Sequence, residues 1–203
     1  MKIELRNIEY SERQSEETNC FIADLFIDGK LAGTTRNNGH GGSTDYFPTG
    51  PEGRKLIETA EEYCRSLPAE EHEYDGQQFT LDMDLELYID KLLGDYLSSL
   101  EQKKTEAKMK KNILVSSDPG AYYGYFELGH PIEALIATPK GKEYLLHTLR
   151  AIVPQMKEQE KIINTNIPEQ ILKEAGLRED QYMPQKLQGK SKKEASKQQR
   201  KRP

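Results

Sequence analysis

Long apolar runs are absent from this sequence. No stretch of about 18 apolar residues occurs, so no transmembrane helix is predicted. The first residues, Met1 to Arg6, lead into a segment broken by Glu4, Arg6 and Glu9. That charge excludes the apolar centre of a signal peptide and predicts a protein that stays in the cytoplasm, away from membranes. Cysteine is scarce too. Cys20 and Cys64 are the two in 203 residues. Two are too few for a disulfide scaffold and fit a reducing compartment. Both lie on apolar patterns and read as packing thiols.

Recognisable chemistry is also lacking. The phosphate-binding pattern Gly-x-x-x-x-Gly-Lys-Ser/Thr does not occur. His40, His72, His130 and His147 are scattered without metal-ligand spacing. No catalytic residue, metal or cofactor is assigned on this basis. The stretch from Asn112 to Pro139 holds no Lys or Arg.

Charge is what the chain has in abundance, and it is unevenly placed. Charged residues make up 31% and the formal net charge is −5. Residues 187–203 carry Lys190, Lys192, Lys193, Lys197, Arg200, Lys201 and Arg202 against Glu194 alone, a local +6, which leaves −11 for residues 1–186. From about Met183 onward apolar periodicity stops. Burial cannot then offset the entropy of ordering, so a disordered basic tail is predicted over 183–203. Residues 52–106 hold fifteen acids and six bases. Such helices are ordinarily solvated, with mimicry of a DNA phosphate array as the sharper alternative.

The apolar residues fall into short periodic segments. Residues 2–10 alternate imperfectly, 20–28 are rich in β-formers, and Lys30 to Arg36 follow Asp28-Gly29, a strong two-residue hairpin signal. A three-stranded antiparallel meander over 2–37 is the simplest reading. Pro51 suits a first helical position, and Thr49 with Glu52 has capping-box spacing. Leu56, Ile57, Ala60, Cys64 and Leu67 then share one face, which predicts a helix over 51–67. Residues 68–80 read as an acidic loop containing Asp75-Gly76. A long helix is expected over about 82–110, with Leu85, Ile89, Leu92, Leu93 and Leu100 as its stripe. Beyond it, strands are expected at Ile113–Val115, Tyr122–Leu128 and Ile132–Ala137. A helix capped by Thr138-Pro139, a short strand at Lys161–Asn164 and a helix closed by Gly176 complete the pattern.

Strands and helices are partly segregated, which indicates an α+β fold. An antiparallel N-terminal meander with two helices occupies 1–110, a second small mixed α/β portion 111–182, and the tail 183–203.

One segment carries a likeness. Ile27-Asp28-Gly29-Lys30-Leu31-Ala32-Gly33, followed by Asn37-Asn38-Gly39-His40-Gly41-Gly42, resembles the start of small proteins encoded by bacteriophages and bacterial mobile elements. There a hairpin of the same type leads into a similar glycine loop. The likeness spans roughly residues 1–50. It implies a biological context and no activity.

Three groups of residues are candidate sites. In the loop Asn38, Gly39, His40, Gly41 and Gly42, glycines allow backbone N–H groups to approach an anion, and His40 can add charge. Equally, glycines serve any chain that leaves a sheet at positive φ. Tyr122, Tyr123 and Tyr125, beside Phe126, alternate on a predicted strand, so some should be core and others available to a partner. The seven tail cations suit sequence-independent attraction to phosphate. Together these features predict a non-enzymatic accessory or interaction protein of a phage or mobile element, binding a protein, or a nucleic acid through the tail. The alternatives are a nucleotide or small-anion module built on Asn37–Gly42, and an enzyme whose residues meet only in space.

Overall fold

The computed structural model describes residues 1–74, 77–118 and 123–183, with the side chains of 72–74 and 77 left undescribed. The expected tail, including Lys190 to Arg202, lies outside these residues, as do Asp75-Gly76 and Tyr122. The fold is α+β, and the chain divides into two compact units, Met1–Glu101 and a second beginning at Gln102.

The first unit is built on a four-stranded antiparallel sheet, β1 (Ile3–Tyr10), β2 (Phe21–Ile27), β3 (Lys30–Asn37) and β4 (Asp45–Pro48), in the order β1-β2-β3-β4. The expected meander gains a fourth strand here, because the chain returns after the glycine loop to pair Asp45 with Arg36 and Pro48 with Gly33. The β2–β3 turn is the predicted one, with Asp28 at φ 48° and Gly29 at φ 80°. Phe21, Ala23, Leu25 and Ile27 alternate onto the buried face. There they meet Ile57, Ala60 and Cys64 of α1 (Gly50–Arg65) and Leu85, Ile89 and Leu93 at the start of α2 (Leu85–Met109). Each fully buried Leu or Ile contributes roughly 1.5–3 kcal/mol of burial.

Thr49 does not form the expected capping box; its side chain makes no cap hydrogen bond. The chain enters α1 through Gly50 at φ +73°, and the Thr49 N–H donates instead to Ala32 O at 2.8 Å. α2 opens as its acids predict, with Asp84 Oδ1 accepting from the Leu87 N–H at 2.8 Å.

Between the helices, the segment read as a loop is a β-hairpin, β5 (Glu70–Tyr74) and β6 (Gln77–Leu81). Its composition hides it. Phe79 and Leu81 stay exposed, so the hairpin lacks the apolar alternation by which buried strands are recognised.

The second unit holds the end of α2 and a three-stranded sheet of β7 (Asn112–Ser116), β8 (Gly124–Glu127) and β9 (Lys161–Ile162), in the order β8-β7-β9. Ile132–Ile136, expected as a strand, is the short helix α3. A brief apolar run does not distinguish the two states. Here Pro131 starts the turn, Leu135 N–H returns to Pro131 O at 3.0 Å, and Ile132 and Leu135 bury together. α4 (Pro139–Ile152) is capped as predicted, with Thr138 Oγ1 accepting from the Gly141 N–H at 3.1 Å. α5 (Glu169–Glu174) ends at Gly176, φ +96°. Ile113, Leu145, Leu149, Ile162 and Ile171 centre the main core of this unit. A smaller cluster of Met109, Leu114 and Ile163 lies apart from it. Among the described residues, no helix is long and apolar enough to cross a membrane.

Candidate functional site

The glycine loop leaves β3 at Asn37, and Asn37 organises it. The side chain is buried, and its Oδ1 accepts from Thr18 Oγ1–H at 2.8 Å and from the Gly39 N–H at 2.9 Å. Its Nδ2 donates to Gly42 O at 2.9 Å and Thr44 Oγ1 at 3.2 Å. The Gly39 carbonyl then accepts from the N–H groups of Glu16, Glu17 and Thr18 at 3.0, 3.0 and 3.3 Å. Gly39, at φ +87°, sits so close to the Gln14 backbone that a Cβ would collide with it.

These bonds define what the loop can offer a ligand. The Gly39 N–H is held by Asn37, the His40 N–H by Asn38 Oδ1 at 3.3 Å, and the Gly41 N–H by Thr18 Oγ1 at 3.3 Å. An anion arriving here competes with bonds already made. His40 is exposed, with Nδ1 at 3.1 Å from Glu16 Oε2.

The loop's far end is tied to α2. Thr44 is buried; its N–H donates to Glu86 Oε1 at 2.9 Å and its hydroxyl to Asp90 Oδ1 at 2.6 Å. Asp90 as a residue is largely exposed, but its carboxyl is tucked against Thr44. Desolvation raises its pKa above the usual carboxylate value, and the charges of Glu86 and Asp84 push the same way. Nearby, Tyr46 OH donates to Glu61 Oε1 at 2.8 Å, and burial with that bond holds the phenol well above its ordinary pKa. Burial pushes the Cys64 thiol up to about 11, with Asp84 adding to it, which leaves it a packing group. Cys20 is only half-buried, contrary to the packing role expected of it. Its Sγ lies 3.7 Å from Gln14 Oε1.

Beside the loop, a trough of about 860 Å³ is lined partly by the outer face of the sheet, the face that α1 does not cover, and partly by the strand ends at Tyr10, Phe21 and Asn37. Its floor is one cross-strand row: Glu9 on β1, Ile22 on β2, Arg36 on β3 and Asp45 on β4, each paired with the next. Tyr10, Gln14, Asn38 and Ser43 also line it, with Gly39 packed on the Gln14 backbone. The Arg36 guanidinium lies over the Phe47 ring, 4.9 Å from its centroid. Among the described residues, no hydrogen bond or ion pair engages the side chains of Glu9, Arg36 or Asp45. Sequence reasoning missed these three. The signal was present in the alternation that faces Ile22 and Arg36 away from the core, but ordinary surface charges look the same.

The tyrosine group divides. Phe126 packs against the main core of the second unit. Tyr123 is half-buried beside Met109, Leu114 and Ile163, with Lys108 Nζ 5.1 Å from its ring centroid. Tyr125 is 63% exposed. The cation that sequence reading found missing from this stretch thus arrives from α2. Among the described residues, no group of three or more His, Cys, Asp or Glu is placed to hold a metal ion. No protein family, curated protein or solved structure matches this chain.

Proposed function

We propose that this chain is a non-enzymatic interaction protein that docks a protein partner on the outer face of its first sheet. The likeness of residues 1–50 to phage and mobile-element proteins supports reading it as an accessory factor of such an element. The observation that carries the reading is the composition of that face. Ile22, Leu31 and Phe47 stand 44%, 45% and 45% exposed on adjacent strands. Asp24 and Thr34 are paired in the row between Ile22 and Leu31, so exposed apolar side chains alternate with polar and charged ones across the face, the mixture that a contact surface presents. Glu4, Glu9, Asp24 and Asp45 outnumber Arg6 and Arg36 on the same face. Both arginines are spread over aromatic rings, Arg6 over Phe26 at 4.1 Å and Arg36 over Phe47. An acidic face with apolar side chains set among its charges favours a protein with a basic surface and disfavours a nucleic-acid backbone.

The run of cations over 187–203 supports a separate attachment to polyanions, sequence-independent and weakened by salt. A comparison of three proteins tests both parts: the full chain, a triple variant with Ile22→Ser, Leu31→Ser and Phe47→Ser, and the chain ending at residue 186. A partner protein retained by the truncated chain and lost by the folded triple variant supports the sheet face. Binding lost on truncation alone, and falling steeply with salt, assigns the interaction to the tail and nucleic acid. Equal capture by all three overturns the proposal.

A further inference from the structure

Independently of any macromolecular partner, we propose that the trough at the loop end of the first sheet binds a small basic zwitterion of the basic amino-acid class. Three observations lead there. The first is Arg36. Asp45 is directly opposite it in register, yet the guanidinium is not paired with that carboxylate and lies over Phe47 instead. Stacking holds the guanidinium plane while leaving its N–H edge free, the arrangement that receives a planar carboxylate through two parallel bonds.

The second is the order of charges along the floor. Adjacent strands are about 4.8 Å apart, so Asp45 lies one strand from Arg36 and Glu9 lies two strands away, about 10 Å, on the other side of Ile22. The row therefore reads carboxylate, guanidinium, apolar spacer, carboxylate. A basic α-amino acid presents the complement. Its carboxylate meets Arg36, its α-ammonium meets Asp45, its methylene stem crosses Ile22, and its terminal cation reaches Glu9.

The third is net charge. Two carboxylates and one guanidinium give the floor a formal −1. A phosphate dianion would gain Arg36 and be repelled from both sides by Glu9 and Asp45. A ligand of net +1 leaves no charge in the trough unmatched. The glycine loop takes a supporting part, since the bonds made by Asn37 hold the rim beside Asn38 and Ser43 in place.

The test is a titration of the full chain followed by backbone amide NMR, with L-lysine, L-norleucine, cadaverine and inorganic phosphate as separate probes. Saturable shifts at Ile22, Arg36 and Asp45 with L-lysine are expected. Norleucine, without the terminal cation, and cadaverine, without the carboxylate, should each bind about tenfold more weakly or worse. Arg36→Met, which keeps an apolar stem against Phe47, should abolish lysine binding with the rest of the spectrum unchanged. Glu9→Gln should erase the preference for lysine over norleucine. The proposal is overturned if lysine produces no saturable shift, if norleucine binds as lysine does, if phosphate is preferred, or if Arg36→Met binds like the wild type.

Discussion

The side-chain oxygen of Asn164 accepts the backbone N–H of Leu114 at 2.6 Å, and both residues are fully buried. β9 is only two residues long, so beyond it a side chain takes over the role of a strand partner. The Asn164 Nδ2 donates to Asn112 O at 2.9 Å and to Asn166 Oδ1 at 3.0 Å, with Met109 O at 3.4 Å. One amide thus joins the end of α2, the start of β7 and the chain after β9.

Replacing it should therefore be severe. Asn164→Leu leaves the buried Leu114 N–H and the half-buried Asn112 carbonyl without that partner, and should cost about 3 kcal/mol in urea denaturation. Asn164→Asp keeps the acceptor but aims a carboxylate at carbonyl oxygens. Its folded pKa is raised, so the variant should be most stable at acid pH and lose stability as pH rises through that value. A variant equally stable at pH 4 and pH 7 would refute this reading.

Two glycines in helices should respond with opposite signs. Gly53 on α1 faces β3 so closely that a Cβ would strike the Ala32 carbonyl oxygen, and backbone cannot move aside cheaply. Gly53→Ala should cost about 2 kcal/mol. Gly94, in the middle of α2, has nothing within contact distance. Gly94→Ala should gain about 0.5–1 kcal/mol through helix propensity. Paired thermal melts of the two variants provide the check.

Asp90 should make the first unit more stable in mild acid. Its folded pKa lies above the ordinary 3.8. The stabilisation from protonating it is complete below the unfolded value and disappears as pH rises through the folded one. Thr44 donates to it, and Glu86 and Asp84 contribute repulsion. Asp90→Asn retains an acceptor for Thr44 and should remove this pH dependence, giving a melting temperature above wild type at pH 7. Parallel pH profiles for the two proteins would disprove the assignment.

Asn37→Ala should loosen the glycine loop while the sheet persists. The amides of Glu16, Glu17 and Thr18 depend on the Gly39 carbonyl that Asn37 holds in position. Their hydrogen-exchange protection should fall by about 1–2 kcal/mol, with β2 amides unaffected. Unchanged exchange at these amides would show that the glycines alone set the loop's shape.

Legibility in the sequence follows where apolar periodicity is strong. The 3.6-residue stripes of α1, α2 and α4 were readable, as was the Asp28-Gly29 turn, because each element signals its own geometry over a few residues. The hairpin Glu70–Leu81 was not. Its strands are largely polar, and their Phe79 and Leu81 are exposed, so no buried alternation records them. Ile132–Ile136 was assigned the wrong state because five residues are too few to separate period 2 from period 3.6. Asn37 and the loop glycines were legible as a feature, yet the loop is anchored on Thr18 and on Glu86 and Asp90 of α2, beyond any local window.

By itself, then, the amino-acid order determined an α+β class, the principal helices, the first hairpin and the division between an acidic body and a cationic end. These depend on composition and on interactions between near neighbours. Only the tertiary structure decided that Glu9, Ile22, Arg36 and Asp45 lie in one row, and that Asn164 completes a strand fifty residues away. Strand register and side-chain pairing across a sheet are set by packing between distant segments, and no local pattern encodes them.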